Sequence, residues 1–210
     1  MTFELFLSHV NNLQRLPLGG LDAQFKLAPK MRLRYDEQKI KANKPKHAAV
    51  LALFYPNENN ETTFLLTLRA SYSGTHSSQI SFPGGKIDQQ DKTYYDAALR
   101  ETLEEVGVSS DKIEFLREMT NVYIPPSNFL VTPFISYINK KPDFIINEEV
   151  ESTIEVKVTD LLDDKNLGSI EMNTSYMSNM KVPCFRLNDY IVWGATGMIL
   201  SEMKELLKSI

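Results

Sequence analysis

Residues 84–108, GGKIDQQDKTYYDAALRETLEEVGV, carry the pattern around which the chain is organised. Good helix formers fill residues 97–106, and Gly107 stands where a helix would end on a left-handed residue. Residues three and four positions apart are neighbours on a helix, so Glu101, Glu104 and Glu105 present their carboxylates to one region. Arg100 lies four residues before Glu104. The stretch therefore predicts a helix with a crowded acidic face.

The acidic face has two interpretations. One is a solvated helix surface, which is the commoner role of acidic helices. The other is a metal site, because carboxylate oxygens suit hard divalent cations such as Mg²⁺ and Mn²⁺. Three clustered carboxylates would destabilise an isolated helix, and they closely follow residues 82–85 (FPGG), a tight turn that allows a close approach to a metal or a phosphate. The combination favours the metal site.

The same stretch resembles the signature of the Nudix hydrolases, which ends in the pattern Arg-Glu-apolar-x-Glu-Glu-x-Gly-apolar. Residues 100–108 match this second half, with Thr102 in place of an aliphatic residue. In the first half Asp91 replaces the usual glutamate, and eight residues rather than seven separate it from Arg100. One subgroup, the coenzyme A pyrophosphatases, is expected to have this form.

The resemblance to that subgroup extends beyond the signature, from about Ala23 to the last helix. Residues 65–70 (LLTLRA) and 72–85 (YSGTHSSQISFPGG) resemble its coenzyme A motif, although Gly74 and Ser78 depart from it. Residues 123–134 (YIPPSNFLVTPF) and 193–196 (WGAT) are also similar to the subgroup. The resemblance implies a hydrolase that cuts coenzyme A or its thioesters into 3′,5′-ADP and 4′-phosphopantetheine. The residues it suggests for substrate binding are Arg69, Ser77 and Gln79.

Roles for the acidic residues follow from the chemistry. Divalent ions neutralise charge on phosphoryl oxygens and lower the pKa of bound water. Glu101 and Glu105 are the expected principal ligands of Mg²⁺ or Mn²⁺, because positions i and i+4 can point at one ion. Glu104 is a third ligand or a partner through water, and the Gly85 carbonyl is a further candidate. Arg100 is expected to orient the glutamates by charge-assisted hydrogen bonds.

The general base is a separate question. Glu148 and Glu149 are candidates outside the signature, with Glu149 preferred, and the alternative for Glu149 is a solvated loop charge. The signature glutamates Glu104 and Glu105 are the other candidates for this catalytic role. The sequence leaves these assignments open.

Two alternative functions also stand. A Nudix hydrolase of another nucleoside diphosphate derivative, such as ADP-ribose, NADH or a damaged nucleotide, would keep the metal site and change the substrate. A nucleotide-sensing scaffold would keep the fold and lose the chemistry, but the intact Arg100 and signature glutamates argue against it.

Composition bounds the remaining possibilities. The chain has 210 residues with 42% hydrophobic content, enough for a substantial core. Its 23 basic and 27 acidic side chains give a net charge of −4, which offers no electrostatic footprint for duplex nucleic acid. Cys184 is the single cysteine, so an intramolecular disulfide is impossible and a reducing compartment is expected. With neither a signal peptide nor a membrane-spanning run in the sequence, we expect a cytoplasmic protein and a small-molecule substrate; a homodimer is compatible with the sequence.

The rest of the chain predicts an α/β fold, an α/β/α sandwich around a mixed β-sheet, which is also the fold that the Nudix resemblance implies. Residues 2–15 have helical spacing, whereas residues 48–55 and 63–68 are expected to form strands joined as a hairpin. Pro133 predicts an edge strand or a bulge, and residues 168–180 a hairpin or a mobile loop over the site. We divide the chain into an N-terminal helix and arm (1–43), the hydrolase domain (44–187) and a packed C-terminal helix (188–210). Basic residues at 26–34 are either solvated or in contact with substrate phosphates.

Overall fold

The computed structural model describes residues 1–70, 79–174 and 177–210. Ser77, together with the Gly74 and Ser78 departures from the coenzyme A motif, lies outside these residues. An eight-stranded mixed sheet forms the centre of the described chain. Its strands are β1 (Lys46–Pro56), β2 (Thr62–Arg69), β3 (Ile80–Ser81), β4 (Gly84–Lys86), β5 (Glu114–Glu118), β6 (Val122–Ile124), β7 (Phe129–Tyr137) and β8 (Val150–Lys157).

Helices and a smaller sheet complete the fold. The helices are α1 (Phe3–Arg15), α2 (Gly20–Gln24), α3 (Glu37–Ala42), α4 (Tyr94–Val106), α5 (Val158–Leu162) and α6 (Gly194–Leu207). The three-stranded antiparallel sheet contains β9 (Leu167–Thr174), β10 (Met177–Leu187) and β11 (Tyr190–Val192). Residues 168–174 and 177–180 thus lie in β9 and β10, whose antiparallel pairing is that of the hairpin, one of the two structures that the sequence predicted for residues 168–180. No helix of the described chain has both the length and the apolar character needed to cross a bilayer.

The pairing of β1 organises the central sheet. β1 runs parallel to β7 from Lys46–Phe129 to Phe54–Tyr137, and the other pairings are antiparallel. On its other edge, β1 pairs with β4 through residues 48–50 and with β2 through residues 54–56. Sharing one edge between two strands brings the Gly-Gly turn at β4 into the middle of the sheet.

Side chains of β1 alternate between two cores, which confirms the predicted sandwich. Phe54 faces the layer of α1 and α6, where its ring stacks on Phe6 with the centroids 5.1 Å apart. Leu51 and Leu53 face the opposite layer and pack in one cluster with Ala98 of α4. β1 is buried on both faces, which explains why its sequence is a continuous apolar run rather than an alternating one.

Pro133 corrects one expectation. It lies in β7, which is a central strand between β1 and the pair β5 and β6, so the predicted edge position is wrong. β5 pairs with residues 134–137 and β6 with residues 129–131, which leaves Pro133 where one neighbour replaces the other. Its carbonyl accepts a hydrogen bond from Met119 N–H at 2.9 Å on that side. The proline nitrogen faces the same side, at the gap between the β5 and β6 pairings. The N–H that proline lacks therefore removes no hydrogen bond from a regular ladder.

The part of residues 1–43 that the sequence predicted to be an extended arm contains two short helices, α2 and α3. Asp36 accepts a hydrogen bond from Lys39 N–H at 2.8 Å and caps α3. α2 and α3 are only five and six residues long, too short for a helical period to show in the sequence. Residues 29–35 between them have no regular secondary structure beyond a turn at Pro29.

Candidate active site

The helix that carries the acidic residues is fixed at both ends by local signals. Thr93 accepts a hydrogen bond from Asp96 N–H at 3.1 Å, and Asp96 accepts one from Thr93 N–H at 2.9 Å, which is a complete capping box. At the other end, Gly107 has φ 74° and donates its N–H to the Leu103 carbonyl at 2.9 Å. Both ends are fixed, so the glutamates of α4 are held in one orientation against the Gly-Gly turn.

The two glycines of the turn are required by close approaches. Gly84 has φ 148°, and a Cβ there would lie 2.3 Å from the Ala49 carbonyl oxygen. A Cβ at Gly85 would lie 2.4 Å from Oε1 of Glu101. The turn thus brings the backbone of β4 directly against the first glutamate of the acidic face.

Glu105 is the most buried of the signature glutamates, with 2% of its side chain exposed. It accepts hydrogen bonds at 3.1 Å from the Gly84 N–H and from Nη1 of Arg69. Burial raises the pKa of Glu105 to about 7, against the opposing charge of Arg69. Glu101 and Glu149 raise it further, which shows that these three carboxylates share one electrostatic environment.

Arg69 joins the helix to the segment that follows residue 147. One terminal nitrogen contacts Glu105, and Nη2 contacts Oε2 of Glu149 at 3.2 Å. The backbone of Glu149 is also anchored, because its carbonyl accepts a hydrogen bond from Ala70 N–H at 2.8 Å. Arg69, which the sequence suggested for substrate binding, therefore also pairs with the preferred general-base candidate. That candidate, Glu149, is brought to the site with 58% of its side chain exposed.

Arg100 contacts the two other signature glutamates. Its Nη1 donates to Oε1 of Glu101 at 2.9 Å and to Oε2 of Glu104 at 3.1 Å. Glu101 is partly buried, and burial raises its pKa despite the neighbouring guanidinium. Glu104 is 54% exposed and lies at the rim of the cluster. These contacts are the ones expected of a residue that orients the glutamates.

Asp91 is a site residue whose partner the sequence did not identify. It is 3% exposed and accepts two hydrogen bonds from Arg100 at 3.0 Å. The Arg100 guanidinium lowers the pKa of the Asp91 carboxyl. The sequence identified Asp91 only as the acidic residue in the first half of the signature. Its eight-residue separation from Arg100 gave no indication that the two side chains are in contact.

A cavity of about 590 Å³ opens beside this cluster. Arg69 and Gly85, which contact Glu105 and Glu101 respectively, are part of its wall, and Gln79 lies in the same wall. Segments that the sequence singled out far apart in the chain also meet here, namely residues 124–127 and residues 193–196. Three cationic side chains line the cavity, those of Arg32, Arg69 and Lys86, and most of the other lining residues are apolar.

The donor set fits a divalent cation in its chemistry. Glu101, Glu104 and Glu105 supply only oxygen atoms. Burial raises the pKa values of Glu101 and Glu105, and repulsion from neighbouring carboxylates is a smaller cause. The close contact at Gly85 leaves backbone next to these oxygens rather than a side chain. As the side chains lie, the described residues form no cluster of three acidic, histidine or cysteine ligands. Glu105 contacts Arg69, and Glu101 and Glu104 contact Arg100. To bind an ion, these glutamates would exchange arginine contacts for metal contacts.

Comparisons with known proteins identify the family of the chain. The NUDIX domain family matches residues 45–172. Nudix hydrolase 15, mitochondrial, from Arabidopsis thaliana is 31% identical over 163 residues, which are 75% of this chain and 57% of that protein. Nudix hydrolase 3 from Caenorhabditis elegans is 29% identical over 161 residues, 68% of this chain and 66% of that protein. The alignments thus span less than two thirds of these relatives.

Solved structures support the fold. A C. elegans Ap4A hydrolase in a binary complex has a TM-score of 0.53 at 17% identity and covers 79% of this chain and 99% of its own. The M. smegmatis Nudix hydrolase RenU has a TM-score of 0.56 at 16% identity, covering 88% and 94%. At these identities the likeness concerns the fold alone.

Proposed function

The chain belongs to the NUDIX domain family, and we propose that it is a metal-dependent hydrolase that cleaves the diphosphate of coenzyme A or its derivatives. The products are 3′,5′-ADP and 4′-phosphopantetheine, or its acyl form. Nudix hydrolases generally use divalent metal ions, and we propose Mg²⁺ or Mn²⁺ here because the site offers carboxylate oxygens.

One observation carries the proposal of coenzyme A. The segments that resemble the coenzyme A pyrophosphatases are separated by up to about a hundred residues, yet they line a single cavity. Arg69, Gln79 and Gly85 come from the upstream motif, Pro125 from the middle segment and Trp193 from the last one. A charged end beside the glutamates and a mostly apolar remainder that includes Arg32 suit a diphosphate attached to an extended, weakly polar chain.

The residues of the chain have distinct roles in this reaction. The bound ion would neutralise phosphoryl charge and lower the pKa of water, and Glu101 and Glu105 with the Gly85 carbonyl would hold it, with Glu104 as a third ligand or a partner through water. Water attacks one phosphorus atom, a new oxygen–phosphorus bond forms, and the bridging oxygen leaves with the other phosphate. Glu149, partly exposed and anchored through Arg69, is the proposed acceptor of the water proton.

A substrate panel tests the proposal. Coenzyme A, acetyl-coenzyme A, ADP-ribose, NADH and dGTP are incubated with the protein in Mg²⁺ and then in Mn²⁺, and the products are separated by chromatography. The highest kcat/KM on a coenzyme A compound supports the proposal. Turnover confined to another compound would keep the metal site and overturn the substrate, whereas a protein that binds metal and hydrolyses none would be a scaffold.

A further inference from the structure

Residues 29–35, here called the arm, lie before the region that the NUDIX family matches. The arm connects the short turn after α2 to α3. Its sequence alternates basic and larger apolar or aromatic residues: Lys30, Met31, Arg32, Leu33, Arg34 and Tyr35. Lys30 and Met31 form a turn, and Met31, Arg32, Leu33 and Tyr35 all belong to the lining of the cavity.

Several contacts hold the arm in place. Arg32 donates a hydrogen bond to the carbonyl of Tyr123, and the ring of Tyr35 packs edge-on against the Tyr123 ring with centroids 5.3 Å apart. Arg34 bonds Asp22 at 2.7 Å. The arm is thereby tied to β6 on one side and to α2 on the other.

The apolar side chains of the arm face the cavity. Met31 is 74% exposed and Leu33 is 69% exposed, and both belong to the cavity lining. The same cavity is also lined by Phe129 and Trp193. When an apolar group of a ligand covers large apolar side chains in a cavity, the removal of their surface from water favours binding.

The arm and the acidic cluster lie at different places on one cavity. Arg69 and Gly85 border the glutamates, whereas the arm is fixed on Tyr123 of β6. β4 and β6 are separated by three strand spacings, through β1 and β7, which is about 14 Å. A ligand with its diphosphate at the glutamates would need a linker of several bonds to reach the arm.

We infer that Met31 and Leu33 bind an aliphatic group at the far end of the substrate and set a preference for acylated over free coenzyme A. The inference rests on the proposed function for the identity of the substrate. Continuity with the diphosphate end of the cavity argues for a group attached to the substrate rather than for a separate partner.

Binding can be measured without turnover. Trp193 is the single tryptophan of the chain and lines the cavity, so its fluorescence reports on ligands there. Coenzyme A and octanoyl-coenzyme A are titrated in EDTA into the wild type, the Met31→Ser/Leu33→Ser double variant and a Leu5→Ser control. Leu5 is 49% exposed on α1 and lies outside the cavity lining.

We expect the wild type and Leu5→Ser to bind octanoyl-coenzyme A at least about tenfold more tightly than coenzyme A, because apolar contacts of this size discriminate by such factors. The double variant should lose most of this ratio and keep its affinity for coenzyme A. Equal affinities in the wild type, a ratio unchanged in the double variant, or no binding of either ligand would overturn the inference.

The substrate panel separates this outcome from failure of the proposed function. If the binding ratio depends on the arm but no coenzyme A compound is hydrolysed, the proposed function is wrong and the arm keeps its role. If coenzyme A is hydrolysed and the ratio does not depend on the arm, only the arm inference is wrong.

Discussion

Asp91 holds the guanidinium of Arg100 through two hydrogen bonds of 3.0 Å, from Nε to Oδ1 and from Nη2 to Oδ2. The remaining terminal nitrogen, Nη1, is left to contact Glu101 and Glu104. Two parallel bonds fix the plane of a guanidinium as well as its position. Asp91 therefore determines how Arg100 meets the glutamates, although it lies in the loop before α4 rather than on the helix.

Replacing Asp91 by asparagine tests this arrangement. The change keeps the size of the side chain and removes its charge, so Arg100 loses its fixed plane and the glutamates lose their orientation. We expect kcat to fall about ten- to a hundredfold, as for other residues that orient metal ligands, with a smaller change in KM. Asp111→Asn, at an exposed position away from the site, is the matched control. Equal rates in both variants would remove Asp91 from the site.

The ion pair between Asp91 and Arg100 should make the free energy of unfolding depend on pH in acid. The pKa of Asp91 in the folded protein is lowered from its ordinary value of 3.8, so the folded state favours the charged form. Its contribution to stability is present above pH 3.8 and is lost as the pH falls through the lowered pKa. The difference in unfolding free energy between wild type and Asp91→Asn should therefore be largest near neutral pH and shrink below pH 3.8. Urea unfolding at several pH values measures it, and a difference that grows in acid would contradict the sign.

Gly85→Ala tests the close contact between β4 and the acidic helix. The new Cβ would lie 2.4 Å from the Glu101 carboxylate, which can move because it is the end of a side chain. We expect the fold to survive, with Tm lowered by only a few degrees, and kcat to fall at least about tenfold because Glu101 is displaced. The control is Gly168→Ala, where the nearest atom to a new Cβ is 3.3 Å away on Arg186. If Gly85→Ala retained full activity, Glu101 would not need its present position.

Glu149→Gln separates the proposed proton acceptor from the metal ligands. A general base contributes on the order of a hundredfold or more, so kcat should fall by about that factor. Affinity for Mn²⁺, measured by calorimetry, should change far less than in Glu105→Gln. Glu148→Gln is the matched control, because Glu148 is the exposed neighbour and the other candidate outside the signature. A larger loss in Glu148→Gln would transfer the role to that residue.

Local signals account for what the sequence predicted well. The helix predicted over residues 97–106 ends at Gly107 as expected and begins three residues earlier, at Tyr94 behind the Thr93 cap, and β1 is a single apolar run. Sequence spacing was also enough to expect Glu101, Glu104 and Glu105 on one region of that helix. These features depend on neighbours in the chain, which a sequence displays directly.

Tertiary contacts account for the rest. Arg69 meets Glu105 and Glu149 across 36 and 80 positions of sequence. The central position of Pro133 depends on where β5 gives way to β6. In the sequence, the apolar side chains of the arm belong to a segment noted only for its basic residues. The structure shows that they line a cavity. A single sequence contains no signal for such pairings.

The most direct measurement is the identity of the two products formed from coenzyme A by wild type, Glu101→Gln and Glu118→Gln. We expect equimolar 3′,5′-ADP and 4′-phosphopantetheine, formed only with Mg²⁺ or Mn²⁺. We further expect a rate at least about a hundredfold lower in Glu101→Gln and near wild type in Glu118→Gln, because Glu118 is exposed on β5. Release of inorganic phosphate and dephospho-coenzyme A, or no turnover by a protein that binds Mn²⁺, would contradict the proposed function.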